Sequence, residues 1–234
     1  MIKVLILNSG LGKRMGKLTE DRPKCMVTVK DGLSTLDYQM KIIEKKGISE
    51  VIMTTGPFED KMIEHIKTNY PSLNVRYVNN PDYKETNYIY SIALAAEFLD
   101  SDIVSMHGDL LFEESVFDDV LESSKSVMVT DSSLPLPEKD FKAVVADKRI
   151  IKIGIDYFDN AVSAQPLYKL LKNDWKIWLD EIMKFCSNGE KSVYAENAFN
   201  EISDQLQLET LDIQGRLCCE IDTGEDLQKI REII

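Results

Sequence analysis

The chain has 234 residues, which suits one large α/β domain or a domain with a small appendage. Its 40 acidic residues against 28 basic ones give a net charge of -12, which argues against nonspecific nucleic-acid binding, since that needs a basic face. There is no apolar run near the ~20 residues of a membrane span and no basic leader with a cleavage site. Cys25, Cys186, Cys218 and Cys219 lack CxxC spacing, so reduced thiols in a cytoplasmic protein are the expectation. His65 and His107, the two histidines, argue against a histidine-rich zinc site.

The apolar stretch Ile2-Lys3-Val4-Leu5-Ile6-Leu7 reads as a first strand. It runs into Asn8-Ser9-Gly10-Leu11-Gly12-Lys13-Arg14-Met15, and Pro23-Lys24 follows. Lys13, Arg14, Lys17, Arg22 and Lys24 cluster here in an otherwise acidic chain, which suits a polyphosphate. Glycines admit close backbone approach, and turn N–H groups form an anion cradle. The dinucleotide fingerprint fails because Gly16 falls one residue late, and the P-loop fails because Leu18 follows Gly16-Lys17. A tight strand-to-helix turn with solvated lysines would have the same composition.

Further along, Val51 to Thr55, Val75 to Val78, Ile103 to Met106 and Val127 to Thr130 read as strands. Leu36 to Lys46, Phe58 to Thr68 and Thr86 to Leu99 read as helices, with Gly47 as a cap. This alternation predicts βαβ units and a mostly parallel sheet with helices on both faces. Positions 132–138 form a loop, and 142–146 with 150–153 form a hairpin turning at Asp147-Lys148. Ser163 to Cys186 has helical periodicity, with Leu167, Leu170, Trp175 and Trp178 on its apolar face. The tryptophans are expected in the core.

Asp109 ends the fourth strand, and Asp222 follows another strand near the C-terminus. Strand-terminal carboxylates above a phosphate loop suit Mg²⁺, although each Asp would serve equally as a turn former or helix cap.

The opening resembles the nucleotidyltransferase family that activates sugar phosphates and other phosphorylated acceptors. Its pattern is a strand, A-A-G-x-G-x-R-[LM], then P-K. Here Asn8-Ser9 stand for the two alanines and Lys13 for the common Ser or Thr. His107-Gly108-Asp109-Leu110-Leu111-Phe112 resembles the family's G-D-x-x-F element, and Glu220-Ile221-Asp222-Thr223-Gly224 its late metal strand. Asn79-Asn80-Pro81-Asp82-Tyr83 through Asn87 and Ser91 resembles the stretch of the cytidylyltransferase branch that helps hold base and ribose. The resemblance implies a doubly wound, mostly parallel mixed sheet of Rossmann-like, glycosyltransferase-A-like type, with a small hairpin and a helical acceptor-binding part. It implies one domain over 1–234: a nucleotide half at 1–130, an acceptor part at 131–215, and a returning metal strand with a terminal helix at 216–234.

The resemblance also implies a reaction: CTP plus a phosphorylated small molecule gives a CDP-linked product and pyrophosphate. The nucleophile is already anionic, so catalysis would be positioning and charge neutralisation. Lys24, Arg14 and Asp109 are the expected catalytic residues, and Asp109 with Asp222 the expected Mg²⁺ ligands. The expected nucleotide contacts are Asn8, Ser9, Gly10, Leu11, Gly12, Lys13, Arg14 and Lys24. Thr55, Gly56, Asn80, Thr86, Asn87 and Ser91 complete that set. Glu196, Asn197 and Asn200 are the expected acceptor contacts, and His107 is read as an ordinary strand-end residue with a role at most in positioning the loop. The implied acceptor is phosphoglutamine, as in capsular phosphoramidate synthesis, with phosphocholine, 2-aminoethylphosphonate and a sugar 1-phosphate as alternatives. A glycosyltransferase is disfavoured by the single Asp at the metal strand. A noncatalytic nucleotide sensor is disfavoured by Lys24 and both carboxylates.

Overall fold

The computed structural model describes residues 2–234. The chain opens with β1 (Ile2–Leu7), whose Val4, Leu5 and Ile6 are all buried, as in a strand covered on both faces. The glycine loop and two 3-10 turns (Lys13–Thr19 and Lys24–Met26) lead to a short hairpin, β2 (Thr28–Lys30) and β3 (Leu33–Ser34). Helices and strands then alternate: α1 (Thr35–Lys45), β4 (Glu50–Thr55), α2 (Glu59–Asn69), β5 (Asn74–Asn79), α3 (Tyr88–Ala95) and β6 (Asp102–His107). Next come β7 (Leu110–Phe112), α4 (Glu114–Glu122) and β8 (Val127–Asp131). The second half holds β9 (Lys142–Ala146), β10 (Arg149–Gly154), β11 (Ala161–Leu170), α5 (Lys172–Ser187) and α6 (Ala195–Ile202). It closes with β12 (Glu209–Asp212), β13 (Cys218–Glu220) and α7 (Gly224–Ile233).

Nine strands form one sheet in the order β5-β4-β1-β6-β11-β8-β12-β10-β9. The first four are parallel, with Leu7 opposite both Thr54 and His107. β12 and β8 are parallel as well, and β11 runs antiparallel between β6 and β8. The result is the α/β mixed sheet expected from the alternation. Successive residues of a strand face opposite ways, and β1 shows it directly. Leu5 joins the apolar cluster of Ile89, Trp175, Trp178 and Phe199, while Val4 and Ile6 join that of Leu36, Met40, Met62 and Phe117. Helices therefore cover both faces, α3, α5 and α6 on one and α1, α2 and α4 on the other. The β9–β10 turn follows the hairpin reading: Asp147 and Lys148 have φ of 50° and 68°, the paired left-handed geometry that matches strand twist.

The expected helix from Ser163 to Cys186 is corrected. Its first part belongs to β11 in the middle of the sheet, and the helix proper is Lys172–Ser187. A long apolar stretch buried on all sides loses the period that separates strand from helix. Pro166 held the missing signal, since it would break a helix interior. In β11 it sits where the pairing with β8 shifts register between Ala164 and Tyr168, a place where a missing N–H is tolerated. Trp175 and Trp178 are buried, as expected of core residues.

Candidate active site

Ligands of open α/β sheets sit beyond the carboxyl ends of the parallel strands. Here those ends are Leu7, Thr55, Asn79 and His107, brought level by the register of β1, β4, β5 and β6. A cavity of about 420 Å³ opens there. One wall is the glycine loop, through Asn8, Ser9, Gly10, Gly12, Lys13 and Arg14. Gly12 is at φ +62°, and a Cβ on it would lie 2.9 Å from Lys24 Cβ. Only glycine combines that left-handed turn with so close an approach to Lys24.

Lys24, Asp109 and Asp222 form the charged floor. The Lys24 ammonium bonds both carboxylates, and Arg14 Nη1 reaches Asp222 Oδ2 at 2.7 Å. Burial works to lower the Lys24 ammonium, but the charges of Asp109 and Asp222 outweigh it and hold it above its ordinary value. Burial likewise pushes Asp109 up, and Lys24 with His107 overcomes it, leaving the carboxyl below its usual range. Two backbone devices bring these carboxylates together. β13 pairs antiparallel with β7, Glu220 opposite Leu110, and Ile221 N donates to Asp109 O at 3.0 Å. Gln39 Nε2 donates to the carbonyls of His107 (2.9 Å) and Leu110 (2.8 Å), pinning the Gly108-Asp109 corner from α1.

The alternative cap roles for both Asp residues do not occur. Thr223 caps α7 in a capping box with Asp226, and α4 begins after Glu113. His107, read as an ordinary strand end, lies inside the site. Its Nδ1 meets Glu220 at 2.8 Å, and its donor atom, one of Asp109 and one of Glu220 all lie within 4.8 Å of one another. Burial would lower the imidazole, but the hydrogen bond and charge of Glu220, with Asp109 and Glu196 behind, raise it to about 9. The gathered carboxylate oxygens are the hard donors a dication such as Mg²⁺ prefers, and they already surround one positive centre.

The opposite wall comes from the segment after β5. Asn80, Tyr83, Thr86, Asn87 and Tyr88 line the cavity. Asn87 Oδ1 accepts from Tyr88 N at 2.7 Å and so starts α3 at the cavity edge. Buried Asn80 donates to Thr86 Oγ1 (3.0 Å) and Ser91 Oγ (2.9 Å), and Ser91 Oγ shares a hydrogen bond with Ser9 Oγ at 2.6 Å. Ser91 thus ties the two walls together from behind and does not line the cavity. Thr55 and Gly56 also sit behind it: Thr55 bonds Glu59, and a Cβ on Gly56 would fall 2.4 Å from Ser9 O. Leu11 is outside the lining too.

The far end is aromatic. Tyr88, Phe141 and Tyr194 line it, with Tyr194 5.8 Å from Tyr88 and 5.3 Å from Phe141 between ring centroids. Lys139 and Asp140 precede Phe141 in the lining, and Asp140 feels the charges of Asp222 and Arg14, while Glu220 belongs to the His107–Asp109 cluster of the floor. The three residues expected at the acceptor lie behind this wall. Glu196 is 2% exposed and accepts from the hydroxyls of Tyr88 and Tyr168. Asn197 accepts from Tyr194 N at 3.1 Å, and Asn200 bonds Ile153 N and O at 2.8 Å each. Sequence reading missed the aromatic end because its rings come from α3, the residue before β9 and the turn before α6. Only their assembly shows the cluster; Tyr88, next to a helix-capping Asn, carried the one local hint.

A glycine loop, a lysine and two carboxylates gathered beyond the ends of the parallel strands are the groups a nucleotidyl-transferring enzyme needs for its phosphates. The chain belongs to the nucleotidyl transferase family, whose model matches residues 3–133. It is 25% identical over 242 residues to a choline-phosphate cytidylyltransferase from Streptococcus pneumoniae, covering 100% of this chain and 98% of that one. A solved structure of CTP:phosphocholine cytidylyltransferase from that species superposes with a TM-score of 0.81 at 23% identity, over 99% of this chain and 98% of the other. A CMP-5'-(3-aminopropyl)phosphonate synthase from Streptomyces rubellomurinus is 30% identical over 131 residues, 56% of this chain and 21% of that protein. A CTP:phosphoglutamine cytidylyltransferase from Campylobacter jejuni is 23% identical over 164 residues, 67% of this chain and 63% of the other. Among the described residues no helix is long and apolar enough to cross a membrane.

Proposed function

We propose that the chain transfers CMP from CTP to a phosphorylated amine, releasing pyrophosphate. The observation that carries this reading is one cavity that brings a cationic loop and a Lys24–Asp109–Asp222 floor together with the aromatic cluster of Tyr88, Phe141 and Tyr194. The glycine-loop N–H groups with Lys13 and Arg14 would hold the β- and γ-phosphates. Lys24 would meet the charge that builds on the α-phosphate as the acceptor oxygen attacks in line with the departing pyrophosphate. Asp109 and Asp222 would hold Mg²⁺, which neutralises phosphate charge when bound. Asn80, Tyr83, Thr86 and Asn87 would face base and ribose.

For the acceptor, ring faces attract cations, and Asp140, next to Phe141, favours positive charge beside them. An ammonium head group suits that end, as in phosphocholine or an aminoalkylphosphonate. The printed activities of two relatives support such acceptors. Phosphoglutamine is the second reading. Its own carboxylate needs a cation, and Lys139 at this end is the residue that supplies one.

The test is pyrophosphate release from CTP, UTP, ATP and GTP with Mg²⁺ against phosphocholine, aminoethylphosphonate, phosphoglutamine and sugar 1-phosphates. Release with CTP and an amine-bearing acceptor is the expected outcome. Release with UTP and a sugar 1-phosphate would overturn both the nucleotide and the acceptor.

A further inference from the structure

The most informative unexplained atom in the cavity wall is Asn8 Nδ2. It is buried and has no hydrogen-bond partner, although Asn8 lines the cavity. The backbone of Asn8 is fixed, its N–H donating to Thr54 O at 3.2 Å. Its side chain lies on Gly108. A Cβ built there would fall 1.6 Å from Asn8 Oδ1 and 2.6 Å from Nδ2. The carboxamide therefore occupies the space that any larger residue at 108 would take. A buried amide donor is normally paired, and a terminal amide torsion is soft, so this group turns toward a ligand at little cost.

Its neighbours say which part of a nucleotide it meets. On one side Gly108 leads directly to Asp109 and the charged floor with Lys24 and Asp222. On the other, Ser9 connects through Ser91 to Asn80, which opens the base-facing wall. What lies between the phosphates and the base of a nucleotide is the pentose. A carboxamide offers one donor group and one acceptor, which matches a hydroxyl that does both.

We infer that Asn8 hydrogen-bonds a ribose hydroxyl and makes the enzyme selective for ribonucleotides over 2′-deoxyribonucleotides. This rests on the nucleotide orientation proposed above, with phosphates at the lysine end. Gly108 is the companion residue, kept small so that the amide has its seat. The family pattern carries alanine at the position of Asn8, so Asn8→Ala is a substitution the loop accommodates.

The test is calorimetric binding of CTP and dCTP, with UTP and dUTP, and ATP and dATP, as parallel pairs. No acceptor is needed. The native protein is expected to bind the preferred ribonucleotide about tenfold tighter than its deoxy counterpart, and Asn8→Ala to narrow that ratio about five- to tenfold. Asn8→Leu keeps about the same size and removes both donor and acceptor, so a narrowed ratio in it reads the lost hydrogen bond. Equal binding of ribose and deoxyribose forms by the native protein would overturn the inference, as would an unchanged ratio in both variants. If UTP or ATP outbinds CTP, the proposed nucleotide is wrong, but the sugar ratio of that nucleotide still decides the role of Asn8.

Discussion

Lys24 holds two carboxylates that would otherwise repel each other on a floor only 15–17% exposed. Its substitution therefore has two separable effects. Lys24→Ala should lower turnover at saturating nucleotide about a hundredfold or more, through loss of a cation aimed at developing phosphate charge. It should also destabilise the fold by about 1–3 kcal/mol, because removing one partner leaves uncompensated buried charge. Added Mg²⁺ should restore part of the lost melting temperature in the variant and change the native protein less. Melting curves with and without the ion check this, and identical ion responses in the two proteins would sink the idea that the carboxylates form one cation site. The meeting of Lys24, Asp109 and Asp222 in one cavity was legible because strand-end carboxylates and glycine-loop cations carry local pattern. The inward position of His107 was not, because its partner Glu220 is 113 residues away in sequence and arrives on β13.

At the scale of elements, α1 shows how a single helix start reaches the site. Ser34 and Asp37 form a capping box, Ser34 N donating to Asp37 Oδ2 at 2.8 Å. Tyr70 OH donates to Asp37 Oδ1 at 2.8 Å, and His65 Nε2 lies 2.7 Å from the same oxygen. Burial pushes the Asp37 carboxyl up, but the bonds from Ser34, His65 and Tyr70 prevail and leave it below its ordinary value. A depressed carboxyl adds stability that is full above its unfolded value of about 3.9 and fades as pH falls toward the lower folded one. Asp37→Asn should thus cost about 1–2 kcal/mol near neutral pH, with the gap to the native protein closing below about pH 4. Urea titrations at pH 7 and pH 3 check it, and a gap that stays constant would refute the assignment. Because Gln39 on the same helix pins the Gly108-Asp109 corner, the variant should also lower turnover modestly. β11 was the element least legible in sequence. It lies amid the sheet with apolar neighbours on every side, so neither a two-residue nor a 3.6-residue period survives, and Pro166 alone marked it as a strand.

Across the whole molecule, the two ends of the cavity are built from different parts of the chain. The cationic end uses the glycine loop, Lys24, Asp109 and Asp222, whereas the aromatic end uses Tyr88 from α3, Phe141 before β9 and Tyr194 before α6. Damage at the aromatic end should therefore stay there. Tyr194 is 38% exposed, so its removal spares the core. Tyr194→Ala should raise the acceptor KM about three- to thirtyfold while leaving the affinity for CTP within about twofold, in line with the loss of one cation–ring contact. Equal losses for acceptor and nucleotide would show that the ends are not independent. The parallel half of the sheet was legible from alternation, because each βα unit is local. The aromatic end depends on how α3, β9 and α6 meet, which is long-range packing that local pattern does not encode.

The pairing of β13 with β7 has a consequence for the timing of synthesis. A ribosome that has translated everything through β12 has already delivered the glycine loop, Lys24 and Asp109, and domains begin folding as they emerge. Asp222 is still to come. A polypeptide released after β12 would therefore carry the glycine loop, Lys24 and Asp109 without the strand that places Asp222 beside them.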